Sequence, residues 1–185
     1  PTLVSEPGRN TAYTWDAQGL LLSKRVTDTL STPNTTQTWN WTYTPQGLVS
    51  SEQAPNLATT SYTYDSRGNL LTATDALGHV SHYSWDSANR LLSHIAPSGL
   101  TTSYSWDARD RLLTQTVGAD TAQAQTTQLS YNPTGTLATL ALPNGLSIQY
   151  SYDTAHRLVG WSYTRGDGGT YDANGLLAST TDATG

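Results

Sequence analysis

The chain has 185 residues, of which only 12% are charged, with nine Lys and Arg against fourteen Asp and Glu for a formal net charge of −5. Globular domains average about 25% charged residues, so the Glu, Lys and Arg that solvate helix surfaces are scarce here, and Thr, Ser, Asn, Gly, Tyr and Trp, the residues of strands and turns, replace them. The acidic balance argues against nucleic-acid partners, and the lack of cysteine excludes disulfides, cysteine zinc sites and thiol nucleophiles. No apolar run approaches the roughly 18 residues of a membrane-spanning helix, and the length predicts one domain over residues 1–185.

An internal repeat organises the whole sequence. Each copy opens on an aromatic residue, position 0, followed by a turn residue at +1, a Gly-like residue at +4 and an aliphatic at +6. In chain order the copies are Trp15, Asp16, Gly19 and Leu21; Tyr43, Thr44, Gly47 and Val49; Tyr64, Asp65, Gly68 and Leu70; and Trp85, Asp86, Asn89 and Leu91. The second half continues with Trp106, Asp107, Asp110 and Leu112; Tyr131, Asn132, Gly135 and Leu137; Tyr152, Asp153, His156 and Leu158; and Tyr171, Asp172, Gly175 and Leu177. Successive aromatics are 28, 21, 21, 21, 25, 21 and 19 residues apart. The insertions, near Pro33 and Ala122, are expected in loops.

The columns have a direct physical reading. A second aromatic or apolar residue stands two before position 0 in seven copies, with Ser or Thr between them in all eight, which is strand periodicity with an aromatic face and a hydroxylated one. Asp or Asn at +1 and Gly, Asn, Asp or His at +4 predict a type I turn followed by a left-handed residue in a G1 bulge, the three-residue loop of a hairpin. That register places the +6 aliphatic across from the aromatic, a cross-strand pair worth about 0.2–1 kcal/mol relative to Ala–Ala. A second turn closes each repeat, visible at residues 75–78, 96–99, 142–145 and 182–185, each ending in Gly. The fold class is all-β, a continuous antiparallel ribbon of β-hairpins with about sixteen strands.

The repeat phase is intact at both ends and position 1 is not methionine, which suggests a segment of a longer chain or an array that assembles end to end. Unpaired edge strands are then expected to pair with neighbouring repeats or with another copy.

Aromatic-Asp-x-x-Gly-x-Leu at about 21-residue intervals resembles the YD-repeat, or RHS, family, best in residues 64–70, 85–91 and 152–158. The resemblance implies a segment of a spiral β-shell, a non-catalytic scaffold that encloses or presents a toxin or adhesion domain in a secreted or cell-surface bacterial protein. The self-cleavage segment of the toxin branch, with its Asp-Pro motif, has no counterpart in this chain.

No catalytic, cofactor or metal residues are assigned. The repeated aspartates read as turn caps, because Asn132 and Thr44 keep that role and would weaken a carboxylate ladder. His79 and His82 are three apart, on opposite faces of a strand. Fourteen of the seventeen aromatics occupy the two columns, Trp39, Trp161 and Tyr163 being the others. They read as the packing face of the sheet; the alternative is a glycan-binding surface module that uses exposed Trp and Tyr.

Overall fold

A computed structural model describes residues 2–165, 169–171 and 177–180. The described residues contain seventeen strands and no helix. The chain divides into two compact units, Pro1–Ser84 and Trp85–Gly185. The first holds β1 (Thr2–Glu6), β2 (Arg9–Trp15), β3 (Leu21–Asp28), β4 (Thr35–Tyr43), β5 (Val49–Gln53), β6 (Thr59–Tyr64), β7 (Leu70–Thr74) and β8 (Val80–Trp85), whose last residue lies beyond the division. The second holds β9 (Leu91–Ile95), β10 (Thr101–Trp106), β11 (Leu112–Val117), β12 (Gln125–Tyr131), β13 (Leu137–Ala141), β14 (Ser147–Tyr152), β15 (Leu158–Thr164), β16 (Gly169–Tyr171) and β17 (Leu177–Thr180). In both, consecutive strands pair antiparallel in chain order.

The turns follow from the +1 and +4 columns. In the 16–20 turn Gly19 N–H donates to the Asp16 carbonyl and Asp16 N–H to the Leu20 carbonyl, a four-residue turn closed by a G1 bulge. Positions 47, 68, 89, 110, 135 and 156 share its positive φ, non-glycine residues included; position 175 lies outside the described residues. The second turns have the same two bonds, as in Asp75 and His79, or Leu142 and Leu146. One of them has no glycine signature: Ala54-Pro55-Asn56-Leu57 turns with Leu57 at φ 67°.

The first-turn hairpins whose register is described also carry a second bulge. Tyr64 pairs with Leu70, as expected, but Thr63 pairs with Thr72, so Leu71 is an extra residue; the same shift recurs beside Trp15, Tyr43, Trp106, Tyr131 and Tyr152. Side chains alternate with period two, so one inserted residue exchanges the faces beyond it. The bulge lets an aliphatic at +6 meet the aromatic while a hydroxyl at +8 meets the hydroxyl at −1. The pairs Thr14–Ser23, Thr42–Ser51, Thr63–Thr72, Ser105–Thr114 and Ser130–Thr139 come within 2.6 to 2.7 Å.

Two expectations need correction. The insertion near Pro33 mostly lengthens the hairpin: β3 and β4 have eight and nine residues, where β5 and β6 have five and six. Paired backbone accommodates the extra residues better than a long bare loop. The aromatic columns do not pack into a core either. Among the described residues only Thr11 and Gly118 are buried, and no apolar residue is; the column aromatics whose side chains are described are half-buried, except Trp15, which is 47% exposed.

Two substitutions test the backbone reading. Gly68 has φ +88° and an added Cβ would only touch Leu48 at 3.5 Å, so Gly68→Val should lose about 1–2 kcal/mol through backbone strain, not through a clash. Leu57 is 75% exposed, so Leu57→Gly gives up little packing; it relieves about 1–2 kcal/mol of strain against about 0.5–1 kcal/mol of added chain entropy and should be neutral to slightly stabilising. Urea denaturation of the two variants measures both; equal stability of Gly68→Val and its parent would contradict the turn assignment.

Candidate functional site

The first-turn ends of the hairpins gather most of the recurring polar side chains. At +1, Asp Oδ1 accepts the amides two and four residues on: Gln18 and Leu20 at Asp16, Arg67 and Asn69 at Asp65, Ala88 and Arg90 at Asp86, Arg109 and Arg111 at Asp107, and Ala155 and Arg157 at Asp153, all at 2.8 to 3.0 Å. Thr44 Oγ1 accepts the same two amides at 3.3 Å, whereas the Asn132 amide nitrogen donates to Thr136 Oγ1. Asp172 lies outside the described residues.

Four of the aromatics at position 0 reach back to the preceding hairpin. Tyr43 donates its hydroxyl to the Leu21 carbonyl at 2.8 Å, Tyr64 to Val49 at 2.8 Å and Tyr131 to Leu112 at 2.9 Å, while Trp106 donates its indole N–H to Leu91 at 2.8 Å. The acceptor is the +6 carbonyl in every case. Between hairpins the paired register ends at +8, at Ser23 with Asn40, Ser51 with Ser61, Ser93 with Ser103 and Thr114 with Gln128. The +6 carbonyl lies two residues beyond, where the ladder has run out, and the aromatic supplies a donor there.

A column absent from the sequence reading, +5, ties successive turns together. In the first unit Leu20 lies 3.7 Å from where a Cβ on Gly47 would be, and Leu48 likewise approaches Gly68. In the second, Arg90 donates through Nε to Asp86 Oδ2 at 2.7 Å and through Nη1 to the Asp107 carbonyl and Asp110 Oδ1 of the next turn, at 2.7 and 3.0 Å. Arg111 pairs with Asp107 Oδ2 at 2.6 Å and stacks 4.3 Å over the Tyr131 ring, leaving its buried Nη1 without a partner among the described residues. Arg109, at +3, adds a bond to the Pro133 carbonyl at 3.0 Å.

These bonds set the charge states. The Arg111 side chain, followed by its backbone amide, holds the Asp107 carboxyl down at about 2. Asp86 and Asp153 are lowered, first by the backbone amides of Arg90 and Arg157, and Asp65 is lowered, first by the Asn69 side chain. Asp75, in a second turn, is lowered first by the His79 amide, and its Oδ2 lies 2.9 Å from His79 Nδ1. Burial pushes the Tyr64 hydroxyl up, so it stays a donor. Among the described residues no three His, Cys, Asp or Glu side chains gather as a metal site would require. At the end of each +6 column lie the aliphatics Leu21, Val49, Leu70, Leu91, Leu112, Leu137 and Leu158, the last 54% exposed; of Leu177 only the backbone is described.

The family model described as RHS Repeat matches residues 43–80, 64–101, 85–123 and 131–170, together more than half of the chain. No curated protein sequence matches it. Among solved structures, the crystal structure of TcdB2-TccC3-TEV aligns with 96% of this chain and 10% of its own at 15% identity and a TM-score of 0.71. That of TcdB2-TccC3-Cdc42 aligns with 84% and 9% at 16% identity and a TM-score of 0.66. A structure of the Photorhabdus luminescens Tc holotoxin pore with a mutated TccC3 aligns with 91% and 12% at 14% identity and a TM-score of 0.51. The likeness is one of fold, and the chain spans about a tenth of the length of each.

Tyr64→Phe deletes the bond to Val49 and should cost about 0.5–1.5 kcal/mol, while Tyr62→Phe, two residues away on the same face, should cost less because no hydrogen bond of that hydroxyl is found. Equal losses in urea unfolding would show that the inter-hairpin bond contributes nothing. The carboxyl shifts predict acid sensitivity. Each lowered carboxyl binds its proton more weakly in the folded chain, so its stabilisation is complete above about pH 4 and drains as pH falls towards 2. The urea midpoint should therefore fall from pH 5 to pH 2, and less steeply in Asp107→Asn.

Proposed function

The chain belongs to the RHS repeat family, and we propose that all of it, residues 1–185, is one repeat array serving as a length of shell wall: a non-catalytic scaffold that, within a longer parent protein, encloses or presents a toxin or adhesion domain. The observation that carries this reading is a sheet whose described residues include no buried apolar side chain, yet in which four aromatics at first-turn ends fasten a hairpin to the one before it. Such a layer suits a wall, which needs lateral continuity more than a core. The motif carboxylates support a structural role as well, because each Asp Oδ1 is committed to two backbone amides and the lowered carboxyls stay ionised at neutral pH, unsuited to shuttling protons.

The partners of this wall are neighbouring repeats, of its own polypeptide or of an assembled copy, and the enclosed domain. The location that fits is secreted or displayed on a bacterial surface; no helix among the described residues is long and apolar enough to cross a membrane. Limited proteolysis of the full-length parent tests the proposal. A domain following the array should resist cleavage at protease concentrations that digest the same domain expressed alone, and imaging should show a hollow particle. An extended particle with the domain digested at its free rate would overturn the reading.

A further inference from the structure

In the first unit two grooves lie side by side along the first-turn ends of the hairpins. One, of about 620 Å³, lies between the turns that begin at Asp16 and Thr44 and is lined by Trp41, Tyr43 and Pro45. The other, of about 440 Å³, lies between the turns that begin at Thr44 and Asp65 and is lined by Leu48 and Tyr64. Thr44 and Gln46 belong to both. At +5 the second unit has Arg90, which reaches into the next turn, and Arg111, which covers the ring of Tyr131, the counterpart of Tyr43 and Tyr64. Here the same column holds the shorter, uncharged Leu20 and Leu48.

The spacing and chemistry of the grooves select an occupant. Adjacent grooves are one hairpin apart, two strand spacings or about 9.5 Å. A polyproline II segment repeats every three residues, about 9.3 Å, whereas side chains on one face of a strand recur at about 6.7 Å. A segment lying across the hairpin ends runs perpendicular to the strands and cannot join their ladder, so the N–H that proline lacks is no loss. Aromatic-lined grooves are the usual seat of such segments. The Trp41 indole N–H, for which no hydrogen bond to a described residue is found, can donate to a carbonyl of the bound segment.

Charge adds a direction. Asp65, Asp86, Asp107 and Asp153 each hold a +5 side chain through Oδ2. Asp16 has Leu20 at +5, and its Oδ2 has no partner among the described residues. In the second groove Arg67 lies 3.6 Å from Asp65 Oδ2, so a cation is attracted at the Asp16 end and repelled at the other.

We propose that the two grooves bind an extended proline-rich segment of a partner protein, with prolines three residues apart seated in successive grooves and a basic residue against Asp16. This surface does not depend on the scaffold reading, and either can fail alone. Calorimetric titration of the 185-residue chain with synthetic peptides of Pro-Pro-Ala triplets tests it, one peptide carrying arginine at its N-terminus and the other at its C-terminus. Saturable binding of at least one is expected, about tenfold tighter than its counterparts with glycine for proline or glutamine for arginine. Asp16→Asn, which keeps an oxygen for the turn amides, should bring the arginine peptide down to the glutamine one. Asp28→Asn, which removes a carboxylate at the opposite end of β3, should change neither. Trp41→Ala should abolish binding; should that variant lose its β circular-dichroism spectrum, Trp41→Phe, which keeps a ring without the N–H, replaces it and should weaken all the peptides alike. Equal binding of proline and glycine peptides, equal effects of the Asp16 and Asp28 variants, or no saturable binding up to about 1 mM would overturn the proposal.

Discussion

The bond from an aromatic polar edge to the carbonyl of the preceding hairpin answers the main difficulty of a sheet without a core. In ordinary domains a second layer buries one face of the sheet, and that burial is the dominant stabilising term. Among the described residues no apolar side chain is buried, so cohesion must come from the ladder itself and from pairs along each face. The ladder between hairpins stops at +8, and unfastened strands beyond that point would expose an unpaired carbonyl in every repeat. Tyr43, Tyr64, Trp106 and Tyr131 close that gap. Phenylalanine would give the same ring without the donor, and position 0 is always Tyr or Trp in a chain with no Phe at all.

The bulge at +7 is the companion device. Without it the residue at +8 would share a face with Leu70 and its equivalents, and the hydroxyl pairs would fall among the aromatics. With it, one hairpin presents a row of aromatic and aliphatic side chains on one face and a row of paired hydroxyls on the other. Thr63 with Thr72 and Ser105 with Thr114 illustrate the second row. Gly160 interrupts that row at the same place where Trp161 and Tyr163 interrupt the first, so both faces of one hairpin depart from the pattern together.

Local chemistry was legible in the sequence and chemistry between hairpins was not. A turn is decided within five residues, so Asp65 at +1 and Gly68 at +4 announce their geometry, and the non-glycine Asn89, Asp110 and His156 follow because those residue types tolerate positive φ. Leu57 carries no such signal: its φ is imposed by the strands on either side, which pair whatever occupies the turn. The paired +8 hydroxyls were visible as a column of Ser and Thr, but only the bulge gives that column a partner. The Arg90 fork was out of reach, since its acceptors belong to a turn about twenty residues on. The aromatic face was misjudged for a simpler reason. Alternation tells which residues share a face, not whether anything covers it.

The same separation explains how the repeat tolerates sequence change. Fastening between successive turns is done at +5 by Leu20 and Leu48 lying over glycines in the first unit and by Arg90 reaching a backbone carbonyl in the second. An apolar side chain requires that the next turn leave room, which Gly47 and Gly68 do by having no side chain. A guanidinium requires an acceptor instead, and a backbone carbonyl is present in every turn regardless of sequence. Position +4 in the next copy is then free to contribute, as Asp110 does with its carboxylate, at a φ of 61° that Asp accepts at small cost. Two chemically unrelated solutions thus occupy one column because the constraint they satisfy is geometric: each turn must hold the next at the end where the strands have stopped pairing.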